Sequence, residues 1–156
     1  MIRLPLVLAS AAAIGVAGMA FAASHGGNPA VKARQSHMQL YAFNVGALGA
    51  MAKGEVEYDA EVAQAAADNL AALASLNQSR YWVPGTSNAE LGEETRALPA
   101  IWEEGSKAGE ISGQLREATA ALALVAGDGQ EALAAGLGPV GEACGACHKA
   151  HRQAEN

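Results

Sequence analysis

Along residues 29–152 the apolar positions recur at steps of three and four, and no stretch alternates apolar and polar with period two. That pattern predicts helices and no sheet. The first helix is expected from Pro29 to about Lys53. Asn28 is its N-cap and a proline stands at its first position. Met38, Tyr41, Val45, Leu48 and Ala52 form its inward stripe and Gly54 ends it. The second helix is expected from an Asp59 N-cap to about Leu76, burying Val62, Ala66, Leu70, Leu73 and Leu76. A third should run from about Ile101 to Ala126 through Ile111, Leu115, Ala118, Leu122 and Val125, led by a short turn at Leu98–Trp102. Gly127-Asp128-Gly129 is a turn, and a fourth helix follows from about Gln130 to Arg152, kinked at Pro139.

Residues 77–98 are the one long irregular stretch, with a turn signal at Pro84-Gly85-Thr86. Short, long and short connections between four helices predict an all-α, antiparallel up-and-down four-helix bundle. Cofactor sites in such bundles lie between facing helices. Gly105, Gly109 and Gly113, four apart, either allow a close approach of a helix or flat ligand, or mark a frayed helix start.

Composition adds the compartment. Arg3 precedes an apolar run from Leu4 to Met19, and Ala20-Phe21-Ala22 fits the small-residue cleavage rule. This reads as a secretory signal over residues 1–22, leaving a domain at 23–156 and implying export to the periplasm. The run is short for a membrane span and no basic stop follows it. Of the 156 residues, 10 are Lys or Arg and 16 Asp or Glu. Loss of Arg3 leaves a net charge of about −7 with histidines neutral. Such a domain is a poor nucleic-acid binder, is repelled by anionic membranes and attracts basic partners.

The chemistry concentrates in Cys144-Gly-Ala-Cys147-His148, which holds both cysteines of the chain. Two thiols three positions apart on a helical turn reach the two vinyl groups of one porphyrin, and the next residue presents an imidazole to the iron. This is the pattern of c-type haem attachment. A thioredoxin-like pair would want a preceding strand and a helix N-terminus. A zinc site would need more ligands, for which only His25, His37 and His151 remain. A disulfide across two residues is strained in a helix. One covalent haem c on Cys144 and Cys147, with His148 as the proximal ligand, is therefore expected.

Around that motif His151 lies three positions after His148 and is expected to face solvent. Arg152 stands one turn after His148, positioned to stack near its ring, pair with a propionate or favour the helix dipole. On the first helix Met38 is either core packing or a sixth ligand. His37, rotated by about 100° from it, is expected at the surface.

These residues together resemble the class II c-type cytochromes, the family of cytochrome c prime and its low-spin relatives. The resemblance spans about Pro29 to Arg152. It rests on Gly138-Pro139-Val140-Gly141 before the cysteine motif, Arg152 after it, Ala33-Arg34-Gln35-Ser36-His37-Met38 in the first helix and Ala100-Ile101-Trp102. It implies an up-and-down bundle, with Arg34 and Gln35 near the haem propionates and Thr95 and Arg96 as further candidates for that contact. It also places Met38 at the distal position. Low-spin members ligate iron there with methionine, whereas high-spin members carry a bulky side chain that does not ligate. The stretch Gly46–Glu55 looks like the low-spin members, so His148/Met38 ligation and one-electron transfer between periplasmic redox partners are implied. The alternative is a five-coordinate iron binding NO or CO. A peroxidase-type enzyme would need a distal acid–base group, which this reading does not supply. The family often dimerises through its first two helices, where Gly49, Ala52, Ala65 and Ala67 are small. His151 departs from the tyrosine usual in the family.

Overall fold

The computed structural model describes residues 27–154. The proposed signal segment lies outside them. Four long helices, α1 (Pro29–Ala52), α2 (Ala60–Ser75), α4 (Ala108–Ala123) and α5 (Gln130–His151), form the bundle. A one-turn helix α3 (Asn88–Leu91) sits in the crossover, followed by two 3-10 turns, 92–94 and 99–101. Helices α1 and α2, α2 and α4, α4 and α5, and α5 and α1 are neighbours, which closes the up-and-down ring. No strand occurs among the described residues, and none of their helices is long and apolar enough to cross a membrane.

Local chemistry sets most boundaries. Asn28 Oδ1 accepts from the amides of Ala30 and Val31 at 2.9 and 3.3 Å, and Pro29 holds the first helical φ. Asp59 Oδ1 caps α2 in the same way, through Glu61 and Val62. Gly54 terminates α1 with a φ of 71°, a backbone state that costs other residues a Cβ clash.

The third long helix starts later than its hydrophobic pattern predicts. Pro99–Ile101 is a 3-10 turn, and Gly105 turns the chain at φ 80° before Ser106 and Lys107 lead into α4. Gly109 and Gly113 face open space, so neither serves a close approach between helices. That approach occurs at Gly136 of α5, where a Cβ would meet Leu122 Cδ1 at 3.0 Å and Val125 Cγ2 at 3.1 Å.

The core is built around Tyr41, Leu48, Met51, Leu70, Leu122, Leu133 and Val140. On α2 the buried face is Ala63, Ala66, Ala67, Leu70 and Ala74, while the expected core residues Val62 and Leu76 are exposed. Alanines make up most of that face around Leu70, and Val62 and Leu76 turn outward. Polar groups close the ends. Tyr58 Oη donates to the Ala126 carbonyl and accepts from Gly129 N–H, both at 2.9 Å, tying the α1–α2 loop to the α4–α5 turn.

Candidate functional site

The inner face of α1 is not a simple apolar stripe. Val31, Arg34, His37, Tyr41, Asn44, Leu48 and Met51 are its buried residues, and three of them are polar or charged. Buried polar groups are more informative than buried leucines, because each must find a partner.

Arg34 finds its partners in the crossover. It is 3% exposed. Its Nη1 donates to Thr86 Oγ1 at 2.7 Å and to the Tyr81 carbonyl at 3.2 Å. Its Nη2 donates to Thr95 Oγ1 at 2.9 Å and to the Thr86 carbonyl. The guanidinium lies 5.2 Å from the Trp82 ring centre and 6.0 Å from that of Trp102. Burial pushes its pKa down, with Glu94 opposing, yet a guanidinium stays charged. Beside it Gln35 Nε2 donates to the Glu94 carbonyl at 2.9 Å.

Arg34 therefore clasps the long loop to α1. Removing it as Arg34→Ala strands buried acceptors and should lower the unfolding free energy by about 3 kcal/mol in a denaturant titration.

The crossover is stitched to the end of α5 as well. Ala97 and Arg152 form an antiparallel bridge. Leu98 N–H donates to the His151 carbonyl at 3.0 Å, and Gln153 N–H to the Arg96 carbonyl at 2.8 Å. This docking brings the charges of Arg96 and Arg152 to His148. Burial first, and those two cations after it, lower the His148 pKa, which favours the neutral imidazole that can bind iron. Cys144 and Cys147 on α5 are half-buried free thiols. Burial pushes both pKa values up, and the Cys144 charge raises that of Cys147 further. These are protonated thiols rather than the depressed thiolates of a redox pair. Among the described residues no group of three or more His, Cys, Asp or Glu side chains is placed to hold a metal ion, so the pair lacks the ligand set of a closed zinc site.

Met38 is half-buried and packs on the same core cluster as Cys144. Thus α1 sets a thioether, and α5 the Cys144 thiol, against one core cluster. His37 corrects the expectation of a surface residue: it is 4% exposed. The turn of about 100° from Met38 does separate the two, but the buried positions of α1 sweep about 160°. His37 falls on the flank toward α2. There its ring stacks on Tyr41 (centroids 4.8 Å apart) and meets Tyr81 edge-on at 5.7 Å. Burial lowers its pKa, with the Leu73 carbonyl opposing.

His151 is a second correction. It is 6% exposed, not solvent-facing, because the crossover packs over the end of α5. It borders an open pocket of about 640 Å³ lined also by Glu103, Lys107 and Lys149, on the side of α5 toward the start of α4. That pocket is distinct from the thiols.

Among the described residues, four buried side-chain polar atoms have no hydrogen-bond partner: His37 Nε2, Tyr41 Oη and both ring nitrogens of His151. Their helical spacing from Arg34 and Cys144 was visible in the sequence, but nothing there showed that loop docking would bury them. The orphaned Tyr41 hydroxyl and the Met38 thioether, in one cluster with the free Cys144 thiol, fit a haem seated against α5. Cys144, Cys147 and His148 would hold it.

A bundle with a Cys-X-X-Cys-His motif on its last helix defines a c-type cytochrome of the helical-bundle class. A family profile described as cytochrome c′ matches residues 29–152, and the chain belongs to that family, whose members bind haem c. It is similar to cytochrome c-554 of Cereibacter sphaeroides, 43% identical over 124 residues, covering 79% of this chain and 80% of the relative. It also resembles the solved cytochrome c′ of Rhodobacter sphaeroides, with 40% identity and a TM-score of 0.77, covering 81% of this chain and 96% of that one. A ferrous variant of the cytochrome c prime from Alcaligenes xylosoxidans with bound NO matches at 29% identity and a TM-score of 0.69, covering 81% of this chain and 94% of that one.

Proposed function

We propose that the mature protein is a periplasmic monohaem cytochrome that carries single electrons, with one haem linked to Cys144 and Cys147 and the iron held by His148 and Met38. The observation that carries this reading is Met38, a soft thioether on the inner face of α1 that packs on the same cluster as Cys144. When bound, the haem supplies a one-electron iron couple, and a methionine ligand raises its potential. The chain's own residues do the rest. His148 offers a neutral imidazole, kept so by burial and by Arg152 and Arg96. The same two cations, with Gln35 of α1, would meet propionates, whereas Arg34 spends its four Nη–H bonds on the crossover. Thr95 holds Arg34 in position.

The signal-like residues 1–22 support export, and the acidic domain favours weak, charge-steered contact with basic redox partners. This makes it a carrier rather than an enzyme. Phe43 (75% exposed), Leu40 and Val62 are exposed apolar side chains of α1 and α2, which supports a homodimer through those helices.

A second reading has its own support. The relative from Alcaligenes xylosoxidans has been solved with bound NO. If Met38 only packs above the iron, the site is five-coordinate and binds NO or CO. The visible spectrum of the purified protein separates the two. Low-spin spectra with a weak far-red ferric band are expected. A high-spin spectrum with fast CO binding to the ferrous protein would establish the gas-binding reading instead.

A further inference from the structure

A shallow apolar groove runs along the outer seam between α4 and α5. Ala118, Ala121 and Val125 form one wall, and Ala132, Ala135 and Pro139 of α5 the other. Gly136 forms the floor. A Cβ there would crowd Leu122 and Val125, so the two helices meet with no side chain between them. Next to Val125, Leu124 is 81% exposed. One polar atom interrupts the apolar lining. Pro139 stands inside α5 and has no N–H, so the Ala135 carbonyl lacks the donor that a helix supplies four residues on. Both residues line the groove, which places that acceptor in its wall.

Carboxylates edge the groove. Glu117 lies one turn before Ala121, Glu131 one turn before Ala135, and Glu142 two turns after Ala135. Helical spacing therefore sets all three on the faces that carry the groove walls. Asp128 stands in the turn that joins the two helices. All four are exposed, and none is in an ion pair: the one salt bridge among the described residues is Lys53–Glu55. Arg116, the one cation within α4, acts instead on Tyr41 of α1. On the α1–α2 side, Lys32 and Arg34 balance Glu61 and Asp68. Like charge rules out a second copy of the same face as the occupant, and an anionic membrane as well. A dimer through α1 and α2 leaves the groove open, because α4 and α5 form the other side of the ring.

We propose that the α4–α5 groove is the docking surface for a basic protein that presents lysine side chains. A lysine has an apolar stem and a charged head. The stem lies along the alanine walls, and the ammonium meets the Ala135 carbonyl and the carboxylates of Glu131 and Glu142. An apolar centre with a charged rim suits a brief encounter in which charge sets the on-rate. The groove also lies along α5, the helix of Cys144 and Cys147, and Glu142 precedes Cys144 by two residues. Only the redox use of this contact rests on the electron-carrier reading; the binding does not.

The test titrates the holoprotein with a lysine decapeptide by calorimetry at low ionic strength. The triple variant Glu117→Lys, Glu131→Lys, Glu142→Lys should bind at least about tenfold more weakly. The control Glu57→Lys, Glu61→Lys, Asp68→Lys changes the net charge equally on the other side and should lose less than about threefold. Ala121→Leu with Ala135→Leu fills the groove without a charge and should weaken binding about threefold, with the salt dependence kept. An unchanged visible spectrum shows that each variant is folded around its haem. Equal losses in the two triple variants, or full affinity with the groove filled, would overturn the docking surface. Electron exchange with a lysine-rich c-type cytochrome is followed in parallel and should slow in the same order. Binding at the groove without exchange upholds the surface and refutes the carrier reading. Fast exchange that the groove variants leave unchanged upholds the carrier and refutes the surface.

Discussion

Replacing Met38 with leucine should turn a low-spin, six-coordinate haem protein into a high-spin, five-coordinate one. Leucine fills nearly the same volume, so the half-buried site keeps its packing at a cost below about 1.5 kcal/mol. What it lacks is a lone pair. The far-red ferric band should vanish and the potential should fall, because a methionine ligand raises it. With Met38 on the ferrous iron as proposed, CO would have to wait for the iron–sulphur bond to open. A ligand that binds only a minor open state has its apparent affinity reduced by that fraction, so the variant should bind CO at least about 100-fold more tightly. Met38→Ala should give the same spectral change with an added stability loss of about 2–3 kcal/mol from the cavity. Leucine and alanine variants that keep the wild-type spectrum would remove Met38 from the iron.

The other large effect lies at the thiols. Cys144→Ser with Cys147→Ser leaves the helix, the imidazole and the slot, but no sulphur to form a thioether. Expressed with the maturation machinery, the double variant should keep no haem colour on a denaturing gel, whereas each single variant keeps one linkage. A ligand that binds only the folded chain stabilises it by mass action. A haem held without thioethers is lost on dilution, so the melting temperature of the double variant should become dependent on added haem. For the wild type it should not.

Much of this architecture was legible in residue order. The N-caps Asn28 and Asp59, the Gly54 stop and the Gly-Asp-Gly turn place α1, α2 and α5 within a residue or two, because capping is local chemistry. The start of α4 was not legible. Periodicity at Ile101 and Trp102 continues into a turn that Gly105 redirects, and a helical wheel cannot distinguish a 3-10 turn from the helix after it. Val62 and Leu76 misled for another reason: they are apolar, yet the bundle packs α2 through its alanines.

The site divides the same way. Cys144, Cys147 and His148 are read from spacing alone. Arg34 gave no sign that Tyr81, Thr86 and Thr95 would hold it, since those partners are 47 to 61 positions away. His37 and His151 are polar residues on exposed-looking arcs, and both are buried, His151 because the crossover docks back on α5. The buried face of α1 carries Arg34, His37 and Asn44 among its apolar residues, and that mixture weakens its amphipathic pattern.

The most direct trial of the whole account is the intact mass of the exported protein under denaturing conditions, read beside its absorption in the visible. Export through a haem-attaching compartment should yield a chain lacking residues 1–22, heavier than its polypeptide by one haem and red after unfolding. A colourless product at the mass of the bare polypeptide would contradict attachment at Cys144 and Cys147, and the ligation and electron transfer built on it.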